Sequence, residues 1–157
     1  MALWTLVDQQ KIKPIDAKNE GRFRQLQREV ELNDLQQYLG YEFYQELLRN
    51  TDNYTVLLNS GTFTESGVLY HFDGLKTVFA YLLYARYVAV SDIVDTYSGM
   101  VRHSGQDFQR IGQNEIKNLQ TDYRNVAGAA WEECRRYLCS INNPYFIQNK
   151  RKKIDVL

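Results

Sequence analysis

Residues that could form a nucleophilic catalytic site lie together in one short segment of the sequence. They are Ser98, His103, Ser104 and Asp107. Catalytic groups of this kind normally converge from separate elements of a fold, and the sequence contains no Gly-x-Ser-x-Gly turn. His71 and His103 lack a cysteine or a second histidine at ligand spacing, which argues against zinc. The sequence therefore indicates neither a catalytic triad nor a zinc site.

Two pairs of carboxylates have a spacing that could bind magnesium. Glu42 and Glu46 are four residues apart, and a helix would place them on one face. The same holds for Asp92 and Asp95, which are three apart. The all-α nucleotide pyrophosphohydrolases use Glu-x-x-Glu followed by Glu-x-x-Asp, and the first motif is absent here, as is a Gly-x-x-x-x-Gly-Lys phosphate loop. Solvated helix charges are the favoured interpretation, and a small magnesium-dependent helical hydrolase is the alternative.

The overall composition is that of one folded domain with no general attraction to nucleic acid. The 157 residues are 44% hydrophobic and 24% charged, and 19 Lys plus Arg balance 19 Asp plus Glu. Cys134 and Cys139 would point about 140° apart on a helix, so they cannot form a local disulfide. The opening residues lack the basic start and apolar stretch of a secretory signal, so we expect a cytoplasmic location while the protein is made.

The segment GLKTVFAYLLYARYVAV, residues 74–90, is the most apolar part of the chain. A transmembrane helix needs about 20 mostly apolar residues. This run is shorter, it has charges near both ends, and Asp92 and Asp95 follow it. Its helical periodicity continues to Thr96. We therefore predict a buried central helix over residues 74–96 and no membrane span.

The other segments predict an all-α fold, a small helical bundle with a long C-terminal helix. Helices are predicted within residues 17–40, ending at Gly40, and over residues 41–50. Residues 60–73 predict a short hairpin or an ordered loop. The last helix, residues 107–141, would span about 50 Å, which exceeds the diameter of a compact domain of this size. Part of it should therefore project.

Aromatic residues recur on more helix faces than a single core can absorb. The chain has 12 Tyr, 7 Phe and 2 Trp, and tyrosine is favoured at protein interfaces because its side chain is apolar along the ring and polar at the tip. Tyr81 and Tyr84 are therefore candidates for a subunit interface, with an aromatic-rich core as the alternative. Arg86 lies inside an apolar stripe. It is either a core arginine paired within the chain or part of an ion pair between subunits.

Four segments occur along the chain in the order IKPIDAKN, YLGYEFYQELL, GLKTVFAYLLYARYV and WEECRRYLCSINNPYF. Together they resemble the head–tail connector (adaptor) proteins of tailed bacteriophages, and the resemblance extends from about Leu6 to Phe146. It implies a helical protein that assembles as a ring, typically of twelve copies, beneath the portal at the capsid vertex. Such a ring joins head to tail and lets DNA pass, with no active site, no cofactor and no membrane contact. The protein would be in the host cytoplasm during assembly and in the virion neck afterwards.

Residues 142–157 differ in character from the helical domain, which we assign to residues 1–141. Pro144 stops a helix and the four cations at 150–153 repel one another, so we expect an extended tail that is mobile in the free protomer. Its apolar residues are costly to expose, which predicts an arm that docks on the portal or tail proteins. Contact with DNA, or a small nucleic-acid-binding regulatory protein, is the alternative explanation of the cations. The predicted partner-binding residues are Tyr145, Phe146, Ile147, Lys150, Arg151, Lys152, Lys153, Ile154, Val156 and Leu157.

Overall fold

The computed structural model describes residues 3–15, 20–90, 93–96, 99–102 and 113–146. Within these residues the protein is mostly helical, with two small antiparallel hairpins. The helices are α1 (Leu6–Ile12), α2 (Glu20–Val30), α3 (Gln36–Leu39), α4 (Tyr41–Arg49), α5 (Thr55–Asn59), α6 (Leu75–Val90) and α7 (Gln113–Ser140). A π-helical turn, Glu31–Leu35, joins α2 to α3, and a 3₁₀ turn, Thr51–Tyr54, precedes α5. The strands are β1 (Gly61–Glu65), β2 (Val68–Phe72), β3 (Ile93–Thr96) and β4 (Gly99–Arg102).

Helix α6 lies at the centre of the fold, as its apolar sequence predicts. Leu75, Val78, Phe79, Leu82 and Leu83 are each at most 2% exposed. The helix contacts α1, α2, α5 and α7, which together bury most of its apolar residues between Leu75 and Ala85. Among the described residues, no helix is both long enough and apolar enough to cross a membrane.

Helix α6 ends at Val90, and the prediction that it continues to Thr96 is wrong. Residues 93–96 form strand β3, which pairs antiparallel with β4. Periodicity alone does not separate a helix from a strand over so short a run. Ile93, Val94 and Thr96 are β-branched, and such residues favour a strand because their χ1 freedom is restricted in a helix.

The apolar stripe from α2 to α3 is buried, but a π-helical turn interrupts its spacing. Its members are Phe23, Leu26, Val30, Leu35 and Leu39. The step of five residues from Val30 to Leu35 is too long for one α-helical turn of 3.6 residues, and the wider π turn accommodates it. The same turn leaves Asp34 buried beside Leu35.

Gly40 ends α3 in a backbone conformation that other residues rarely adopt. Its φ is 76° and its ψ is 152°, so the predicted need for glycine is confirmed, although this ψ is extended and not that of a left-handed helix. Helix α4 begins at the next residue. Phe43, Tyr44 and Leu47 are all buried, so α4 is covered on two sides.

Strands β1 and β2 form a hairpin, one of the two alternatives predicted for residues 60–73. Ser66 and Gly67 join them with φ values of 52° and 80°. Positive φ at both central residues is the feature of a type I′ turn, which suits the twist of a two-stranded ribbon. The hairpin lies against α7, where the rings of Phe72 and Tyr137 stack with their centroids 4.5 Å apart.

Helix α7 has 28 residues and spans about 42 Å. Its buried residues all belong to its second half, and they are Ala127, Ala130, Trp131, Cys134 and Leu138. No residue from 113 to 126 is buried. The predicted long last helix is thus confirmed from Gln113 onward, whereas residues 103–112 lie outside the described part of the chain.

Residues 142–146 belong to the folded domain, so the prediction of an extended tail from residue 142 is wrong as far as Phe146. This side chain is 6% exposed. Its ring meets those of Phe43 and Trp131 edge-on, with centroids 6.4 and 6.0 Å away. Helix α7 does end before Pro144, as predicted. The chain then turns back because burying a phenylalanine ring is worth a few kcal/mol.

Candidate interaction surface

The second half of α6 and the first half of α7 form an antiparallel pair of helices. We call residues 84–90 and 113–126 the two-helix arm. The side-chain amide of Gln120 donates a hydrogen bond to the carbonyl oxygen of Ala85 at 3.3 Å, which connects the two helices. Ala85 is buried, and every other residue of the arm is half-buried or exposed. One protomer therefore covers the apolar and aromatic surface of the arm only in part.

The predicted interface residues Tyr81 and Tyr84 belong to a tyrosine cluster at the base of the arm. The Tyr123 ring contacts both, with its centroid 4.7 Å from that of Tyr84 and 6.3 Å from that of Tyr81. Lys13 Nζ lies 4.7 Å from the Tyr84 ring centroid and 4.8 Å from that of Tyr123, a favourable cation–π arrangement. Burial raises the pKa of Tyr84, Tyr123 adds to the rise, and Lys13 opposes it. Both predicted residues are half-buried, so part of each ring is open to a partner.

Arg86 is paired within its own chain. Its Nε donates a hydrogen bond to Oδ2 of Asp34 at 2.8 Å, and its Nη1 lies 3.7 Å from Oε2 of Glu29. Arg124 approaches the other oxygen of the same aspartate, with Nη1 3.8 Å from Oδ1. The intramolecular pair, one of the two alternatives for Arg86, is therefore present. A contribution of Arg86 to a subunit interface stays a prediction.

A groove of about 320 Å³ lies between α4 and the segment that follows α7. We call it the α4 groove, and its lining residues are Tyr41, Glu42, Gln45, Glu46, Arg49 and Tyr145. Tyr41 and Tyr145 are 65% and 39% exposed. The Glu46 carboxylate accepts a hydrogen bond from the side-chain amide of Asn50 at 3.0 Å. Because Asn50 is uncharged, this bond does not neutralise the negative charge of Glu46. The groove thus combines two aromatic surfaces and two carboxylates with one guanidinium group.

The turn of the β1–β2 hairpin carries a further apolar patch. Val68 and Leu69 are 52% and 70% exposed. Side chains alternate between the two faces of a strand, so Leu69 lies on the face opposite the core residues Phe63 and Phe72, whereas Val68 lies on the same face as Phe72 at the exposed end of β2. The hairpin is thus attached to the domain by one face near α7, and its turn end exposes both aliphatic side chains to solvent.

Of the predicted partner-binding tail, the structure describes Tyr145 and Phe146. Tyr145 is exposed and lines the α4 groove. Phe146 is buried in its own domain, so the prediction that it contacts a partner is corrected: its ring holds the end of the described chain against the core. The other predicted tail residues lie outside the described part, and they are Ile147, Lys150, Arg151, Lys152, Lys153, Ile154, Val156 and Leu157.

The residues considered for chemistry do not form a metal site in the described part of the chain. His71 Nε2 lies 3.3 Å from the Asp73 carboxylate, and both side chains are well exposed. Across the described ranges, no group of three or more His, Cys, Asp and Glu side chains is placed to hold a metal ion. The remaining candidates lie outside the described residues or have no described side chain, and they are Asp92, Asp95, Ser98, His103, Ser104 and Asp107.

Sequence reasoning missed several residues that build these surfaces. The sequence did point to Asp34, because an acidic residue next to an apolar stripe is a natural partner for Arg86. The sequence did not point to Lys13 or Tyr41. The role of Lys13 depends on contacts with distant parts of the chain, and helical periodicity does not reveal the exposure of Tyr41.

Comparison with known proteins places the chain in a family. The family described as "Family of unknown function (DUF6712)" matches residues 35–155. The matched region contains α6, α7, the lining of the α4 groove and the four cations at 150–153. Neither the curated proteins nor the solved structures contain a match to this chain. Because the match covers well over half of the sequence, the protein belongs to the DUF6712 family, a family of unknown function.

Proposed function

We propose that the protein is a structural head–tail connector of a tailed phage or prophage, and not an enzyme. In this role it forms a ring between portal and tail through which DNA passes. The proposal rests on one observation: the apolar surface of the two-helix arm is only partly covered by its own protomer. The sequence resemblance to connector proteins supports the same role.

The arm has the pattern of a helix–helix contact surface. Ile116, Leu119, Tyr123 and Val126 recur at steps of three and four, so they share one face of α7. They are half-buried or, for Val126, exposed. A neighbouring copy laid against this face would remove it from water, with a gain of about 25 cal/mol for each Å² of apolar area.

A ring needs two different contact faces on every protomer. Its interface is heterologous, so the face that donates a contact differs from the face that receives it. We propose the two-helix arm as one of these faces and the apolar patch at Val68 and Leu69 as the other. The two lie on separate elements, which is the arrangement that lets a head-to-tail contact repeat until the ring closes.

Residues 147–157 provide the proposed contact with the portal or tail proteins. This segment contains four cations at 150–153 and the apolar residues Ile147, Ile154, Val156 and Leu157. Acidic groups on a neighbouring ring would attract the cations, and the apolar side chains would insert into its surface. Passage of DNA through the ring requires no specific binding by this chain.

Sedimentation velocity and electron microscopy test the ring. The protein should form closed ring-shaped particles, either alone or after mixing with the portal protein of the same phage. A monomer at every protein concentration, with the portal protein present as well, would contradict the proposal.

Deletion of residues 148–157 tests the docking segment. We expect loss of binding to portal or tail proteins while the domain stays folded, as circular dichroism would show, because this deletion begins beyond the buried Phe146. Unchanged assembly together with weakened, strongly salt-dependent DNA binding would instead favour a nucleic-acid contact for the four cations.

A further inference from the structure

The α4 groove has the features of a site for a basic peptide. Glu42 and Glu46 lie one helical turn apart on the same face of α4, and Tyr41 and Tyr145 flank them. A lysine or arginine side chain can lay its aliphatic stem on a tyrosine ring and direct its charged end to a carboxylate. Arg49 is the one cation among the described lining residues, and it lies seven residues after Glu42 and three after Glu46.

The chain itself contains a segment of matching chemistry. Residues 150–153 are Lys-Arg-Lys-Lys, and no acidic residue lies between Phe146 and this cluster. The apolar Ile147 precedes it and Ile154 follows it. The segment therefore combines cations that complement Glu42 and Glu46 with aliphatic side chains that complement the two tyrosines.

The segment is attached at the groove. Tyr145 lines the groove and precedes Lys150 by five residues. A fully extended chain of five residues spans at most about 17 Å. The nine residues of α4 span about 14 Å. The cations can thus reach both carboxylates without the chain leaving this side of the domain. A tether this short gives an effective concentration of the order of millimolar.

We infer that the α4 groove binds the basic segment 147–157 of the same chain in the free protomer. The cations pair with Glu42 and Glu46, and the tyrosine rings support their stems. This inference does not rest on the connector function, because it concerns one copy of the protein by itself. Its consequence is that any partner of the segment competes with the groove for it.

Limited digestion of the full-length protein by trypsin tests the inference, because trypsin cleaves after lysine and arginine. Mass spectrometry measures the cleavage rate at residues 150–153 in about 0.02 M salt, where exposed charges are weakly screened. In the variant Glu42→Gln/Glu46→Gln we expect cleavage about three- to tenfold faster than in the wild type, the change that two exposed ion pairs allow. Raising the salt to about 0.5 M should largely abolish this difference.

The matched control is Glu132→Gln/Glu133→Gln, which removes the same charge from exposed positions on α7 and should leave the cleavage rate unchanged. Equal rates in the wild type and the groove variant would overturn the inference. Protection that grows with protein concentration would also overturn it, because the occupant would then be a second copy.

Amide ¹⁵N relaxation of the wild type gives an independent measurement that needs no variant. Residues 150–153 should become more mobile as the salt concentration rises. Mobility that does not depend on salt would contradict the assignment.

Discussion

The Nε of Arg86 donates a hydrogen bond to Oδ2 of Asp34 at 2.8 Å, which joins the central helix to the π-helical turn after α2. Arg124 lies on the other side of the same carboxylate, with 3.8 Å between Nη1 and Oδ1. One aspartate therefore connects α6, α7 and the α2–α3 segment. The π turn makes this possible, because the additional residue in the turn allows both Asp34 and Leu35 to be buried.

Removal of the Asp34 carboxylate should destabilise the protein. In Asp34→Ala the guanidinium of Arg86, whose side chain is 21% exposed, loses its closest partner, and we expect the free energy of unfolding to fall by about 1–3 kcal/mol. Urea unfolding followed by circular dichroism measures the change. The control is Arg135→Ala, which breaks the more exposed pair with Glu132 and should cost less than about 1 kcal/mol. Equal losses in the two variants would show that the Asp34 pair has no special role.

Truncation of the Phe146 ring should destabilise the domain although this residue follows the last long helix. The ring is buried against Phe43 and Trp131, so Phe146→Ala is expected to cost about 3 kcal/mol of unfolding free energy. Tyr145→Ala, at the neighbouring position that is 39% exposed, should cost about 1 kcal/mol or less. A Phe146→Ala variant as stable as the wild type would mean that the domain ends before residue 142.

One buried thiol should contribute to a fall in stability at alkaline pH. Burial, with a smaller contribution from the Glu133 carboxylate, raises the pKa of Cys134 from 9.0 to about 12. The folded state therefore holds this proton more tightly than the unfolded chain does. Its stabilising effect is complete below pH 9 and is lost between pH 9 and about 12, at about 1.4 kcal/mol per pH unit.

Urea unfolding between pH 8 and 10.5 (roughly the range set by these pKa values) measures this loss. Cys134→Ala should show a shallower decline than the wild type, and not a flat one. Tyr44, Tyr54 and Tyr84 also have pKa values that are raised chiefly by burial, and they contribute to the same decline. Parallel curves for wild type and variant would contradict the assignment to Cys134.

The helices with a strong hydrophobic pattern or a clear terminating residue were predictable from the sequence. The central position of α6 follows from an apolar sequence on nearly every face, and the end of α3 follows from Gly40, which needs a positive φ. The β3 strand was not predictable in this way. Residues 93–96 continue the helical spacing of α6, and the weak preference of their β-branched side chains for a strand is reinforced by pairing with β4.

The candidate surfaces were less predictable than the fold, because they depend on contacts between distant segments. Tyr81, Tyr84 and Arg86 were identified from residue type, but the partners Tyr123, Lys13 and Asp34 come from other elements. The α4 groove requires Tyr145 to lie beside α4, and that placement depends on the burial of Phe146. A proline at 144 and a basic cluster further on indicated a tail, whereas tertiary contacts determine where the folded domain ends.

The proposed ring makes a specific prediction for Val126, the residue of the two-helix arm that combines an apolar side chain with 43% exposure. In Val126→Asp a charge enters the face that we propose lies against the next copy, and burying it unpaired would cost several kcal/mol at every interface of the ring. We therefore expect the variant to lose assembly, alone or with portal protein, as measured by sedimentation velocity. Its free energy of unfolding should change by less than about 1 kcal/mol, since the position is exposed in the protomer.

The matched control is Val7→Asp, which places the same charge at an exposed valine on α1, outside both proposed contact faces. It should assemble like the wild type. Both variants replace an exposed valine by aspartate, so they change the net charge equally. A loss of assembly confined to Val126→Asp would therefore show that the arm forms the contact and that net charge is not the cause. If Val126→Asp assembles normally, or if both variants fail alike, the arm is not the surface that joins the protomers.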